Sequence, residues 1–200
     1  MFSVRKILQV LYYLQSNSPL EEFKGDIMYL LKLLFFADRY HVRHFGFVAS
    51  GDKYCAMKFG PVASATYDVM RGKIPNVANS AEISLLEEIT SAGESFIVVN
   101  KQQDDELSKS FKKALDFAIQ TYGKYKPIEL SSISHDYPEW KKHEQALKSG
   151  KLKEDMVYID FFEDPSTINY SKEYGINEDP FKDDIEFLNA LKEDFNASSC

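Results

Sequence analysis

The sequence predicts an α+β fold that is predominantly helical: a helical bundle around a buried central helix, with a small antiparallel β-hairpin or sheet. Three observations predict it. Between Ile27 and His44, apolar residues recur at Ile27, Leu30, Leu31, Leu34, Phe35 and Val42, the spacing of one helical face. Met28, Tyr29, Leu33 and Phe36 fill most of the opposite face, and a helix apolar nearly all round is a central, buried one. Two further helical stripes supply its neighbours, and a segment rich in strand formers, bounded by glycine and proline, follows the central run.

In chain order, Val4 to Gln15 places Val4, Ile7, Leu8, Leu11 and Leu14 on one stripe, and Ser16-Asn17-Ser18-Pro19 ends it. The central run is too short for a membrane span and is broken by Lys32 and Asp38. Lys32, Arg39 and Arg43 form a charged ridge on it. Asp38 and His41 continue the Leu31–Leu34 stripe, so they point inward or sit at its edge. An ionised carboxylate there needs a partner, for which Arg39, Arg43, His41 and a backbone donor are the candidates. Reading the first two helices as a DNA-binding pair is disfavoured, because the connection is long and the second helix is too apolar for a groove.

After Gly46, Phe47–Val48 and Lys53–Phe59 read as two strands turning at Ser50-Gly51-Asp52. Gly60 and Pro61 are expected to end this hairpin, with Pro61 in the first turn of a helix running from Val62 to Arg71. A loop follows over Gly72 to Ser80. A helix capped by Ser80 is expected from Ala81 to Ser91, with Ile83, Leu86 and Ile89 inward. Phe96-Ile97-Val98-Val99 reads as a buried strand that pairs with the hairpin into a sheet of three. Asp104-Asp105-Glu106 opens a helix from Glu106 to Tyr122, its acidic first turn suiting the helix dipole. Pro127 to Ile133 is a short helix, and Asp136 is placed to cap the next one, with Pro138 in its first turn and Trp140 inward. Ser149-Gly150 turns the chain into a last helix, Glu154 to Phe162.

Two units are expected: a body over residues 1–163 and an acidic tail over 164–200. The tail begins as a linker or surface-hugging strand and ends in a short amphipathic helix, with Phe181, Ile185, Leu188, Leu191 and Phe195 at helical spacing. The tail holds nine acidic residues against three lysines, which accounts for most of the net charge of −7. The nearly neutral body lacks the clustered basic residues of a nucleic-acid footprint, so nucleic acid is a disfavoured partner. At 44% hydrophobic and 28% charged residues, the composition is that of a soluble globular domain. Met1-Phe2-Ser3 leads directly into a helical pattern, with nothing resembling a signal peptide. Cys55 and Cys200 make no disulfide framework, which favours the cytoplasm.

One block, LLKLLFFADRYHVRHFGFVASGDKYCAMKFGPVASATYDVM from Leu30 to Met70, resembles the start of the Panacea domain, the SocA-like antitoxin family. That family carries a KLLYFADRYHL helix, a glycine, a GDxYxAMKYGPV hairpin and a helix with YD. A second block, LSSISHDYPEW from Leu130 to Trp140, is similar to the family's later LSxxTH…PW motif. The likeness covers residues 4 to 163. Phe36 and Phe59 stand where the family has tyrosine, and Ser134 where it has threonine. The resemblance implies a bacterial or phage toxin–antitoxin role: binding and neutralising a cognate protein toxin by direct contact, without catalysis or a cofactor. In one branch it implies delivery of the toxin to a protease instead.

The residues themselves agree with binding more than with chemistry. Asp38, His41 and His135 match no zinc signature, and a metal-dependent hydrolase is the weakest alternative. Asp38, Arg39, His41 and His135 are instead expected to form a buried structural polar network. Cys55 near His41 or His135 lacks the marks of a nucleophile elbow or oxyanion loop. The partner-binding candidates lie on the hairpin and its following helix: Tyr54, Met57, Phe59, Tyr67 and Asp68, which serve either as an exposed anchor set or as a satellite core. Trp140, the only tryptophan, is read as core.

Overall fold

The computed structural model describes residues 2–73, 80–181 and 185–198. Its elements in order are α1 (Val4–Asn17), α2 (Ile27–Phe45), β1 (Tyr54–Met57), β2 (Gly60–Ala63), α3 (Ser64–Met70), α4 (Ser80–Ile83), β3 (Ile89–Ser91), β4 (Ile97–Val99), α5 (Lys109–Tyr122), α6 (Pro127–Ser134), α7 (Pro138–Lys141), α8 (Glu144–Lys148), β5 (Lys153–Asp155), α9 (Asn169–Glu173) and α10 (Ile185–Ser198). Single 3-10 turns add Glu21–Phe23, Ser84–Glu88 and Tyr158–Phe162. The fold is α+β and mostly helical. Among the described residues, no helix is long and apolar enough to cross a membrane. Cys200 and most of the Gly72–Ser80 loop lie outside the described residues.

The central helix forms as its composition dictates. Asp26 Oδ1 accepts from the Tyr29 amide at 2.8 Å and starts α2, and Gly46, at φ +79°, closes its C-terminus with the left-handed cap that glycine favours. Between Ile27 and Arg43 only Met28 is not buried. The occupants of its faces are α1, α3, β2, α5, α6, α10 and the 158–162 turn. The ridge of Lys32, Arg39 and Arg43 is buried with the rest, because later segments cover it.

Several boundaries differ from the sequence expectation. Residues 47–52 form no strand. Gly51 turns at φ +73°, and the Ser50 and Asp52 side chains bind the backbone or Asp38 instead of leaving it free for a ladder. The hairpin pairs Tyr54 with Ala63 and Met57 with Gly60, so its tip is Lys58-Phe59. Gly60 and Pro61 are strand residues. Pro61 lies on an edge of the sheet β2-β1-β5, where a missing N–H costs no ladder bond. Asp52 replaces the expected proline start of α3, accepting from the Ala65 amide at 3.0 Å and the Thr66 amide at 2.6 Å.

The third strand of that sheet is β5, from a stretch read as helical. Met57 pairs with Lys153 and Cys55 with Asp155. The expected 81–91 helix breaks into α4, a 3-10 turn and β3, and β4 pairs with β3 in a separate two-stranded sheet. The free edge of β4 is met by Gln15, whose amide donates to the Ile97 carbonyl and accepts from the Val99 amide. Helix α5 starts after the acidic run, capped by Ser108, whose hydroxyl accepts from the Phe111 amide. Asp136 does not cap α7; it accepts from the Tyr170 and Ser171 amides and so anchors α9, in a stretch expected to be linker or strand. Phe181 is buried against Phe36, Phe117, Tyr122 and Tyr137, and Phe195 of α10 meets Phe162.

Candidate functional site

The hairpin tip is fixed from behind by three side chains from three helices. Trp140 Nε1 of α7 donates to the Met57 carbonyl at 2.9 Å, Ser131 Oγ of α6 donates to the Phe59 carbonyl at 2.9 Å, and Lys32 Nζ of α2 donates to the Pro61 carbonyl at 2.8 Å. The three carbonyls belong to the end of β1, the two-residue tip and β2, so both strands and the turn between them are tied to the helices. Gly60 permits the close approach. It sits at φ +99°, and a Cβ there would lie 2.4 Å from Ser134 Oγ and 2.8 Å from Lys32 Cε. Lys32 is fully buried, and burial pushes its ammonium down to about 7. In front of this backing the Phe59 ring is 51% exposed and Lys58 is exposed beside it.

Two buried polar clusters hold α2 in register with the rest. Asp38 accepts from the Ser50 amide at 2.9 Å, from the Ser50 hydroxyl and from the Tyr54 hydroxyl at 2.8 Å. Burial pushes its carboxyl up to about 6, against the pull of those donors. Arg39 lies one residue on and faces a different neighbour. Its Nη1 donates to both Glu139 oxygens at 2.6 Å and its Nη2 to the Glu163 carbonyl at 2.7 Å, with the guanidinium over Tyr137 and Phe181. Burial pushes the Glu139 carboxyl up and Arg39 opposes it; the paired short contacts keep the two as an ion pair. Arg43 gathers the Phe162 and Phe181 carbonyls and the Asp164 carboxylate.

The structure does not bring Asp38, Arg39, His41 and His135 into one network. His41 Nδ1 donates to the Phe47 carbonyl at 2.9 Å, which fixes the tautomer and leaves Nε2 to accept from Ser110 Oγ at 3.0 Å. Burial lowers its pKa, in keeping with a neutral ring. His135 stacks on Trp140, ring centroids 3.5 Å apart, and burial lowers it to about 4. The set proposed for a hydrolase therefore has three different environments. Among the described residues, no group of three His, Cys, Asp or Glu side chains is arranged to hold a metal.

Of the partner-binding candidates, Tyr54 is core, 2% exposed, with its hydroxyl spent on Asp38. Met57 is half-buried at the base of the tip, Phe59 is exposed at it, and Tyr67 and Asp68 are half-buried on α3. Sequence reasoning missed Glu139, Ser50 and Ser131, polar residues whose partners are distant in the chain. It also missed a groove of about 570 Å³ beside the tip, lined by Lys58, Trp140, Leu147, Lys151, Leu152 and Tyr170. A signal for that groove existed: residues 141–153, KKHEQALKSGKLK, hold five lysines and one glutamate in a chain of net charge −7.

The two blocks that carry the family resemblance meet at the tip. One supplies Lys32, Phe59 and Gly60, the other Ser131 and Trp140. A family model, antitoxin SocA-like, Panacea domain, matches residues 30–141. No curated protein and no solved structure matches the chain. With more than half of its length matched, and with the matched residues forming the tip and its backing, the chain belongs to the SocA-like antitoxin family, the Panacea domain.

Proposed function

We propose that this chain is a cytoplasmic antitoxin that binds a cognate protein toxin directly and blocks it by occupancy, without catalysis. The observation that carries this reading is the exposed Phe59 on a tip whose carbonyls are held from behind by Lys32, Ser131 and Trp140. An aromatic held rigid before contact loses little conformational freedom on binding, which is what an interface anchor needs. Met57, half-buried at the base of the tip, and Tyr67 and Asp68, half-buried on α3 beyond the other end of β2, are further contact candidates in this reading. Tyr54 serves from inside, by holding Asp38.

The test is co-expression with the product of any small reading frame adjacent to this chain's own. Restored growth, together with a complex of fixed stoichiometry on size exclusion, supports the reading. Growth arrest that persists with no complex refutes it. Restored growth with loss of the toxin and no stable complex points to delivery to a protease instead.

A further inference from the structure

We propose that the groove beside the hairpin tip receives an acidic segment of the partner chain that carries a leucine or phenylalanine side chain; this rests on reading the chain as an interaction protein. The groove has an aromatic wall and an aliphatic lip. His135 lies flat on Trp140 at 3.5 Å, Tyr170 meets His135 edge-on at 6.1 Å, and Leu152 at the rim is 85% exposed. An apolar side chain entering there meets Leu147 and Leu152 and covers the exposed leucine.

The rim sets the charge of the occupant. Lys58, Lys148 and Lys151 line the groove against the single carboxylate of Glu144. They belong to the one strongly basic stretch of an acidic protein, residues 141–153 with the hairpin tip beside it. Complementarity therefore selects carboxylates. It selects a short acidic peptide over a nucleic acid. Glu144 already holds Lys148 at 2.9 Å and Glu154 holds Lys151 at 2.6 Å, so the rim offers a few partly compensated charges and no continuous track for a phosphate backbone.

Trp140 is the only tryptophan in the chain and lies in the groove wall, so its fluorescence reports occupancy. The full chain is titrated with a short glutamate–leucine peptide lacking tryptophan, its lysine–leucine counterpart, and oligouridylate. The expected result is a saturable change with the glutamate–leucine peptide alone, weakened by salt and weakened at least about tenfold in K58E/K151E. Both lysines are exposed, and an unchanged thermal melt verifies the fold of the variant. No saturable change, an equal response to either control, or an unaffected variant overturns the proposal. Self-association of the chain that K58E/K151E abolishes also overturns it, because the groove then belongs to a second copy. The two readings fail separately. Toxin rescue undiminished in K58E/K151E removes the groove and leaves the antitoxin; a peptide that binds as expected without toxin rescue or complex removes the antitoxin and leaves an acidic-peptide site.

Discussion

Replacing Glu139 by glutamine isolates the charge of the Arg39–Glu139 pair, because shape and one acceptor oxygen are kept. Both side chains are 0% exposed, and Arg39 Nη1 reaches both carboxylate oxygens at 2.6 Å. Breaking a buried pair by removing one partner costs about 3–5 kcal/mol, since the remaining charge is left without compensation. The glutamine oxygen still accepts one bond, and the Glu163 carbonyl still takes Nη2, so the lower end applies: about 3 kcal/mol. In a chain of this size that lowers the melting temperature by about 6–12 °C. Guanidinium titration followed by far-UV circular dichroism measures the free energy directly. Glu144→Gln is the control. Glu144 pairs with Lys141 and Lys148 at the surface, and losing it costs less than about 1 kcal/mol. If Glu139→Gln lies within about 1 kcal/mol of the parent, the buried pair is not ionised as described and the reasoning fails.

Phe59→Ala removes a half-exposed ring, so unfolding free energy shifts by less than about 0.5 kcal/mol while affinity for the toxin falls by about 2 kcal/mol, read by calorimetry on the complex. Gly60→Ala strains a left-handed residue and drives a methyl group at Ser134 and Lys32, a loss of about 1–3 kcal/mol from the backbone alone, seen as a lowered denaturant midpoint. Asp38 is held near 6 in the fold and titrates near 3.8 when exposed, so the native state keeps its proton over that window and the unfolded state does not. The Asp38 contribution therefore falls as pH rises from about 4 to about 6, and the pH–stability curve of Asp38→Asn is shallower by that contribution, the raised Asp26, Asp52, Glu139 and Asp179 keeping theirs. Lys32 is the mirror case. Its folded pKa near 7 lies below its ordinary 10.5, so the unfolded chain binds the extra proton. Stability rises between about pH 7 and pH 10 in the parent, measured against Lys32→Met, which lacks the step.

The central helix was legible because composition alone settles its burial: with Leu30, Leu31, Leu33, Leu34, Phe35 and Phe36 in sequence, no face is left for solvent. The hairpin was legible in kind and wrong in place. Ser50-Gly51-Asp52 has the residues of a tight turn, and only tertiary contact shows that Ser50 serves Asp38 while Asp52 caps α3. Lys153-Glu154-Asp155 carries no alternation of apolar residues, so nothing local marks it as a strand; the exposed edge of β1 makes it one. The inward turn of Asp38 and His41 followed from helical spacing; a backbone donor was among the partners expected for Asp38, but Ser50 as its source, and the Tyr54 hydroxyl beside it, were not legible. The partner of Arg39 lies 100 residues away, and periodicity carries no information over that distance. Among the candidate contact residues, aromatic identity could not separate the buried Tyr54 from the exposed Phe59, because alternation along β1 and the two-residue tip decide which ring faces water.

Phe181 closes the aromatic cluster around Phe36, Tyr122 and Tyr137, and its carbonyl is taken by Arg43 of the helix at the heart of the molecule. A nascent chain therefore keeps an oily vacancy open until Phe181 has been made, and the central helix waits for an aromatic 138 residues beyond Arg43. Losing Phe181 from the cluster would reopen the same vacancy, so local opening of this late segment loosens the packing around α2.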